Sequence, residues 1–209
     1  MIKRLALTLL FAMAAAIASP RAQAPSPQAV FDRAVEDFLA GRVAESVVGF
    51  DTLARIDPGR APQLWQRGIA LYYAGRYQDC RSQFESHRTV NPNDVENAAW
   101  HFLCVARAES PQRAKAALLP VGPDARAPMR QVYQMYRGDL TPDAVLAAAG
   151  TRPDAQFYAH LYVGLYGDAL GNSSLALEHI RAAADDRYAM GGYMHTVAKI
   201  HLALLERRR

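Results

Sequence analysis

His87, His101, His160, His179, His195 and His201 are the side chains best suited to metal ligation or proton transfer, and their spacing argues against both. None forms HExxH or another short-range zinc motif with a neighbouring carboxylate or thiol; Glu178-His179 and Glu85-Ser86-His87 come nearest. His87 falls where a helix packs on its neighbours, so a satisfied, partly buried imidazole is expected there. Asp185 and Asp186 are adjacent and would point in different directions on a helix, so they suit a solvated helix end better than an acid/base pair. GxSxG, GxxxxGK[ST] and SxxK are missing, with Thr196-Val197-Ala198-Lys199 only an approximation to the last. No catalytic residue, metal or cofactor is therefore expected, and a hydrolase acting on cell-wall polymer is the least supported class of function. Cys80 and Cys104 leave two readings open: a disulfide formed in an oxidising compartment, or two small buried residues on helices.

The chain that must position these groups has 209 residues, 51% hydrophobic and 21% charged, which excludes disordered, collagenous and disulfide-dense classes and allows a sizeable core. Its net charge of +4 is concentrated at the ends. Met1 to Arg4 is a basic start, Leu5 to Ala18 is apolar and uncharged, and Ala22-Gln23-Ala24 has the small residues of a cleavage site. Residues 1–24 are read as a secretory signal peptide whose apolar run is too short to span a bilayer. Pro25 fits poorly behind the Ala24 bond, which leaves Ala16-Ile17-Ala18 before Ser19 as the alternative site. Removal of residues 1–24 takes away Lys3, Arg4 and Arg21 and no acid, lowering the charge from +4 to +1. That weakens any case for a nucleic-acid partner. No cysteine follows the apolar run, so lipidation is not expected, and the chain is placed free in the periplasm with no membrane span after signal removal.

A period runs through the remainder. Gly41, Phe50 and Pro58 recur 34 residues later as Gly75, Phe84 and Pro92, and "AGRVAESVVGFDTLARIDPGR" returns as "AGRYQDCRSQFESHRTVNPND". Each unit reads as helix, Ala-Gly-Arg turn, helix and Pro stop. These residues resemble the tetratricopeptide repeat (TPR) family. Ala34, Gly41, Ser46, Phe50 and Pro58 match its small, turn, small, aromatic and terminal-Pro places in one unit, and Gly68, Gly75, Cys80, Phe84 and Pro92 match them in the next. Small residues are needed where two antiparallel helices approach closely. A degenerate third unit has a helix over Val95 to Ala108, then Ala114 and Leu118, with Glu109 in place of the Gly. A last unit has Gly164, Gly171, Ala176 and Ile180.

The expected architecture is all-α: a TPR-type right-handed superhelix of antiparallel helix pairs with a C-terminal capping helix. About three repeats occupy residues 25–124, and an irregular helical connector occupies 125–150. In the connector, one helix is expected from Pro128 to Tyr136 and another from a Thr141 cap to Gly150. The last repeat and a capping helix from Gly192 onward fill 151–209.

The resemblance implies a concave wall built from the first helix of each pair. Its protein- or peptide-binding positions here are Phe31, Val35 and Phe38, then Trp65, Ile69, Tyr72 and Tyr73, then Arg107, and finally Tyr158 with Leu161. Such a wall suits a partner segment with apolar side chains. The same stripe is also what a helix buries, so core and groove both stay open. Trp65 and Ile69 replace the Lys and Asn with which some TPR domains clamp a terminal carboxylate, so that mode is not expected. "FYAHLYVGLYGDALG" in the last repeat is similar to the NlpI-like envelope proteins, TPR adaptors that recruit peptidoglycan hydrolases and a processing protease. That resemblance implies a scaffold role, an envelope hydrolase or protease as partner, and homodimerisation. Members of that group are lipoproteins, whereas this chain lacks the cysteine. The favoured expectation is an exported adaptor that holds a partner noncovalently, and the competing one is a homo-oligomeric structural protein.

Overall fold

The computed structural model describes residues 25–208; residues 1–24, where the sequence leads one to expect a signal peptide, and Arg209 lie outside the described residues. The described chain is all-α, with no strand among those residues. Ser26 Oγ accepts the Ala29 N–H at 3.2 Å and Pro27 enters the first turn, which starts α1 (Pro27–Leu39). Helices α2 (Val43–Ile56), α3 (Trp65–Tyr73) and α4 (Tyr77–His87) follow, with one 3-10 turn at Ala61–Gln63. Asp94 caps α5 (Val95–Ala108) by accepting the Glu96 N–H at 3.0 Å. Ser110 caps the short α6 (Pro111–Ala116).

In the connector, α7 covers Met129–Arg137 and α8 covers Pro142–Ala149, with Thr141 Oγ1 accepting the Ala144 N–H at 3.4 Å. Helices α9 (Pro153–Ala169) and α10 (Ser173–Ala183) form the last pair. A 3-10 turn at Asp186–Gly191 leads to α11 (Tyr193–Arg207). Asp185 caps that turn by accepting the Arg187 N–H at 2.9 Å, and Asp186 pairs with Lys199 at 2.7 Å, so the tandem acids sit at a helix end. No helix of the described residues is long and apolar enough to cross a membrane.

The recurring glycine turn, Ala-Gly-Arg in the first two pairs and Leu-Gly-Asn in the last, has a backbone cause. Gly41, Gly75 and Gly171 all have φ of 75–76°, a left-handed conformation that other residues rarely adopt. Arg42 N–H bonds to Asp37 C=O at 2.8 Å, Arg76 N–H to Leu71 C=O at 2.9 Å, and Asn172 N–H to Gly167 C=O at 2.9 Å. Each closes the preceding helix with a Schellman cap and sends the chain back along it. The returning helices lie close. A Cβ on Gly68 would meet the Phe84 ring at 2.6 Å, and one on Gly164 would meet the Ile180 backbone nitrogen at 2.8 Å. These contacts pair residues equidistant from the turn, which makes α3/α4 and α9/α10 antiparallel hairpins.

At the centre, α5 packs on α3, α4, α6, α7 and α9. Its Trp100 is 1% exposed, stacked near Phe84 and edge-on to Tyr72. Cys80 on α4 and Cys104 on α5 are joined by a disulfide, with Cα atoms 5.8 Å apart.

Two stability predictions follow from this packing. Gly164→Ala forces a methyl against backbone that has no rotamer to yield, so a loss of about 1–3 kcal/mol is expected, read as a lower thermal midpoint by circular dichroism. An unchanged midpoint would mean that the α9/α10 contact is slack. Reduction of Cys80–Cys104 reopens a loop of 24 residues in the unfolded chain and should cost about 2–4 kcal/mol in urea titration. Identical curves with and without reductant would remove the bridge from the stability of the fold.

Candidate functional site

The first helices of the pairs present their inner sides to α11. Phe38 of α1 stacks on Tyr193 with ring centroids 5.1 Å apart, and Trp65 of α3 meets the same ring edge-on at 5.0 Å. Two turns further along both helices, Tyr73 O–H lies 3.1 Å from His201 Nδ1. Helix α11 thus runs alongside α3, and its Tyr193 also reaches α1, so the end of the chain meets its beginning. Much of the aromatic stripe is consequently covered within the chain: Phe38, Ile69 and Tyr72 are buried, while Trp65, Tyr73 and Tyr158 are half-buried.

The inner face has a charged end and an aromatic end. At the charged end the Asp168 carboxylate of α9, 10% exposed, pairs with Arg107 of α5, and Arg208 approaches it at 3.2 Å. His201 Nε2 lies 3.2 Å from the same carboxylate. Arg107 Nε also donates to Tyr72 O–H at 3.3 Å. Burial alone would push the Asp168 carboxyl up, but His201 and Arg107 hold it well below the ordinary carboxylate range. Burial lowers His201, against the opposing pull of Asp168. Tyr73 O–H lies within hydrogen-bond distance of Nδ1, while Nε2, although 3.2 Å from the Asp168 carboxylate, is not aligned for a hydrogen bond.

The aromatic end keeps a cavity of about 360 Å³ among α3, α4, α5, α9 and α11. Trp65, Ile69, Trp100, Tyr158 and Tyr193 supply its apolar wall. Its polar side is Asp94, Glu96, Asn97 and Arg126. Arg126 donates to Asp94, Glu96 and Asp124, each at 2.6 Å. The other oxygen of Glu96 accepts from Tyr162 O–H at 2.5 Å. Burial first, and Asp94 second, raise the Glu96 carboxyl above its ordinary value despite Arg126. Asn97 Oδ1, Trp100 Nε1 and Tyr193 O–H are buried with no hydrogen-bond partner. In a folded protein such atoms are uncommon and each calls for a reason.

No protein-family model matches the chain. The reading of this face therefore rests on its own geometry. Of the positions expected to bind, Trp65, Ile69 and Tyr158 meet at the cavity. Phe38, Tyr72, Tyr73 and Arg107 lie under α11 or in the Asp168 network. Phe31 instead turns to Phe50 of its own hairpin at 6.0 Å and to Arg60 above its ring, and neither it nor Val35 lines the cavity. Glu96 and Asp168 went unread although the repeat register marks them, since Glu96 holds in its unit the place of Tyr158, and Asp168 that of Phe38 and Tyr72. Asn97, Trp100 and Arg126 occupy no wall position, and Tyr193 and His201 sit on a helix outside the register. The histidines do not gather into a ligand set: His87 lies 2.8 Å from Pro62 C=O through Nδ1, His195 lies against the Ala184 and Asp185 carbonyls, and His160 faces His179.

His101 and His201, both fully buried and lowered mainly by burial, give a signed pH dependence. The unfolded chain takes up protons below about pH 6.5 that the folded one refuses, so stability falls with pH there by up to about 1.4 kcal/mol per unit for each imidazole. Asp168 has the depressed-acid sign, and its contribution is lost only as pH falls from about 3.9 toward its lower folded value. Glu96, raised in the fold, opposes the trend between these ranges. The urea midpoint should drop between pH 7 and pH 5, and less steeply in His201→Gln; a flat profile would mean that these rings are charged in the fold.

Proposed function

We propose that this chain is an exported adaptor of TPR type, a right-handed superhelix of helix pairs that captures a segment of a partner protein at its concave face. The observation that carries the reading is the aromatic cavity at one end of that face, where Trp65, Ile69 and Tyr158 converge and buried polar atoms lack partners. Support for the repeat type comes from the 34-residue period and from the identical left-handed glycines at its turns. The Cys80–Cys104 disulfide supports an oxidising compartment, in line with a secretory reading of residues 1–24 and a periplasmic location. The role is noncovalent: the adaptor holds a partner, by its resemblance an envelope hydrolase or protease, near other envelope proteins. Helix α11 occupies part of the groove, so the partner engages the end that α11 leaves open. A homodimer built on the aromatic stripe has less to bury than the sequence suggests, since α11 covers much of it in the same chain.

The test is a cross-linked pull-down from envelope extract with the mature chain and with Trp65→Ala/Tyr158→Ala. Both side chains are half-buried at the cavity, so the variant should keep its helical circular dichroism and lose most of the captured partner. Equal capture by a folded variant would move the binding surface elsewhere. Sedimentation velocity at micromolar concentration checks the competing assembly: a monomer is expected, and a tight dimer would favour the homo-oligomer.

A further inference from the structure

We propose that the cavity receives the cationic side chain of a lysine or arginine in the partner segment. The proposal deepens the adaptor reading and rests on it. Three observations point to a basic side chain rather than an acidic or purely apolar one.

The first is charge. Arg126 is the guanidinium of the polar side, and its nitrogens are spent on Asp94, Glu96 and Asp124. One cation against three carboxylates leaves the group short of positive charge, and every guanidinium nitrogen of Arg126 already faces a carboxylate, so none is left for an incoming anion. The raised Glu96 carboxyl agrees, because a carboxylate holds its proton longer where burial and a second acid outweigh the neighbouring cation.

The second is the wall. Trp65, Trp100, Tyr158 and Tyr193 surround the space beside those acids, and aromatic faces attract alkylammonium and guanidinium groups as well as the apolar stem that carries them. The hollow lies toward the small end of ligand sites, which span roughly 300–1,000 Å³, and so suits a side chain better than a folded element.

The third is the set of unpaired atoms. Asn97 Oδ1 is an acceptor for a cationic N–H, and Trp100 Nε1–H is a donor for a peptide carbonyl. A free amine would answer the first and leave the second, whereas a basic residue within a peptide brings both partners.

Trp65 and Trp100 are the two tryptophans of the whole chain, so intrinsic fluorescence reports on this cavity directly. The probes are acetyl-Ala-Lys-Ala-amide, its norleucine and glutamate counterparts, and n-butylammonium, titrated into the mature, oxidised protein. The lysine peptide should shift the emission saturably and bind about tenfold tighter than the norleucine peptide. The glutamate peptide should give no shift. Glu96→Gln should abolish most of the lysine preference and leave norleucine binding unchanged, with an unaltered circular dichroism spectrum. Should that variant lose its fold, Tyr158→Leu, which removes an aromatic face beside the same acids, supplies the comparison.

Equal affinity for lysine and norleucine peptides overturns the cationic chemistry and leaves the adaptor reading to its pull-down. Saturable n-butylammonium binding without a response to any peptide overturns the partner segment and makes the site one for small amines. No response to any probe overturns the site, and capture that still depends on Trp65 and Tyr158 would then show that the adaptor reading survives without it.

Discussion

A carboxylate taken out of water has to be matched, and Asp168 is matched by three groups from two helices. Arg107 arrives from α5, while His201 and Arg208 arrive from the end of α11. Removing a partner from a buried ion pair costs about 3–5 kcal/mol, so arrangements in which α11 swings away and takes His201 and Arg208 from Asp168 are penalised here. The rest of the inner face inherits that constraint. With its far end fixed at Asp168, α11 lies beside α3, its Tyr193 reaches Phe38 and Trp65, and the cavity acquires its last wall.

Helix direction explains why the acids and cations are divided between the two ends. Asp94 and Glu96 sit at the start of α5, where the unpaired N–H groups of the first turn favour negative charge. Asp168 sits near the end of α9, where the same effect works against it. Its partners Arg107 and Arg208 come from the ends of α5 and α11, where cations are favoured. At one end of the face two arginines thus answer a single carboxylate. The other keeps an excess of acid beside exposed ring surface, and that asymmetry gives the open end its chemistry.

What could be read from the sequence is what glycine, proline and caps dictate locally. The Ala-Gly-Arg turns were legible because a left-handed residue at the end of a helix demands glycine, and α8 because Thr141 announces its start. Whether the aromatic stripe was core or groove was not legible, since the helical spacing of Phe38, Trp65 and Tyr73 is the same in both cases. The answer depends on contacts with Tyr193 and His201, at the far end of the chain and outside any repeat register. The cavity was hidden for a related reason. Trp100 and Asn97 lie beside the wall positions on α5, and Arg126 comes from the connector loop, so segments far apart in the chain have to fold together before the site exists.

The two halves of the cavity are held by different means. Phe84, Glu96, Asn97 and Trp100 belong to α4 and α5, which the Cys80–Cys104 bridge joins covalently. Tyr193 and Met194 belong to α11, which depends on the noncovalent Asp168 network and on ring packing. A binding site gains affinity when its walls are ordered before the ligand arrives, because less conformational freedom is lost on binding. The bridged half meets that condition whenever the cysteines are oxidised. The α11 half relies on the Asp168 network, on the Tyr193 ring contacts and on packing against α10, so its order is supported from both ends of the helix.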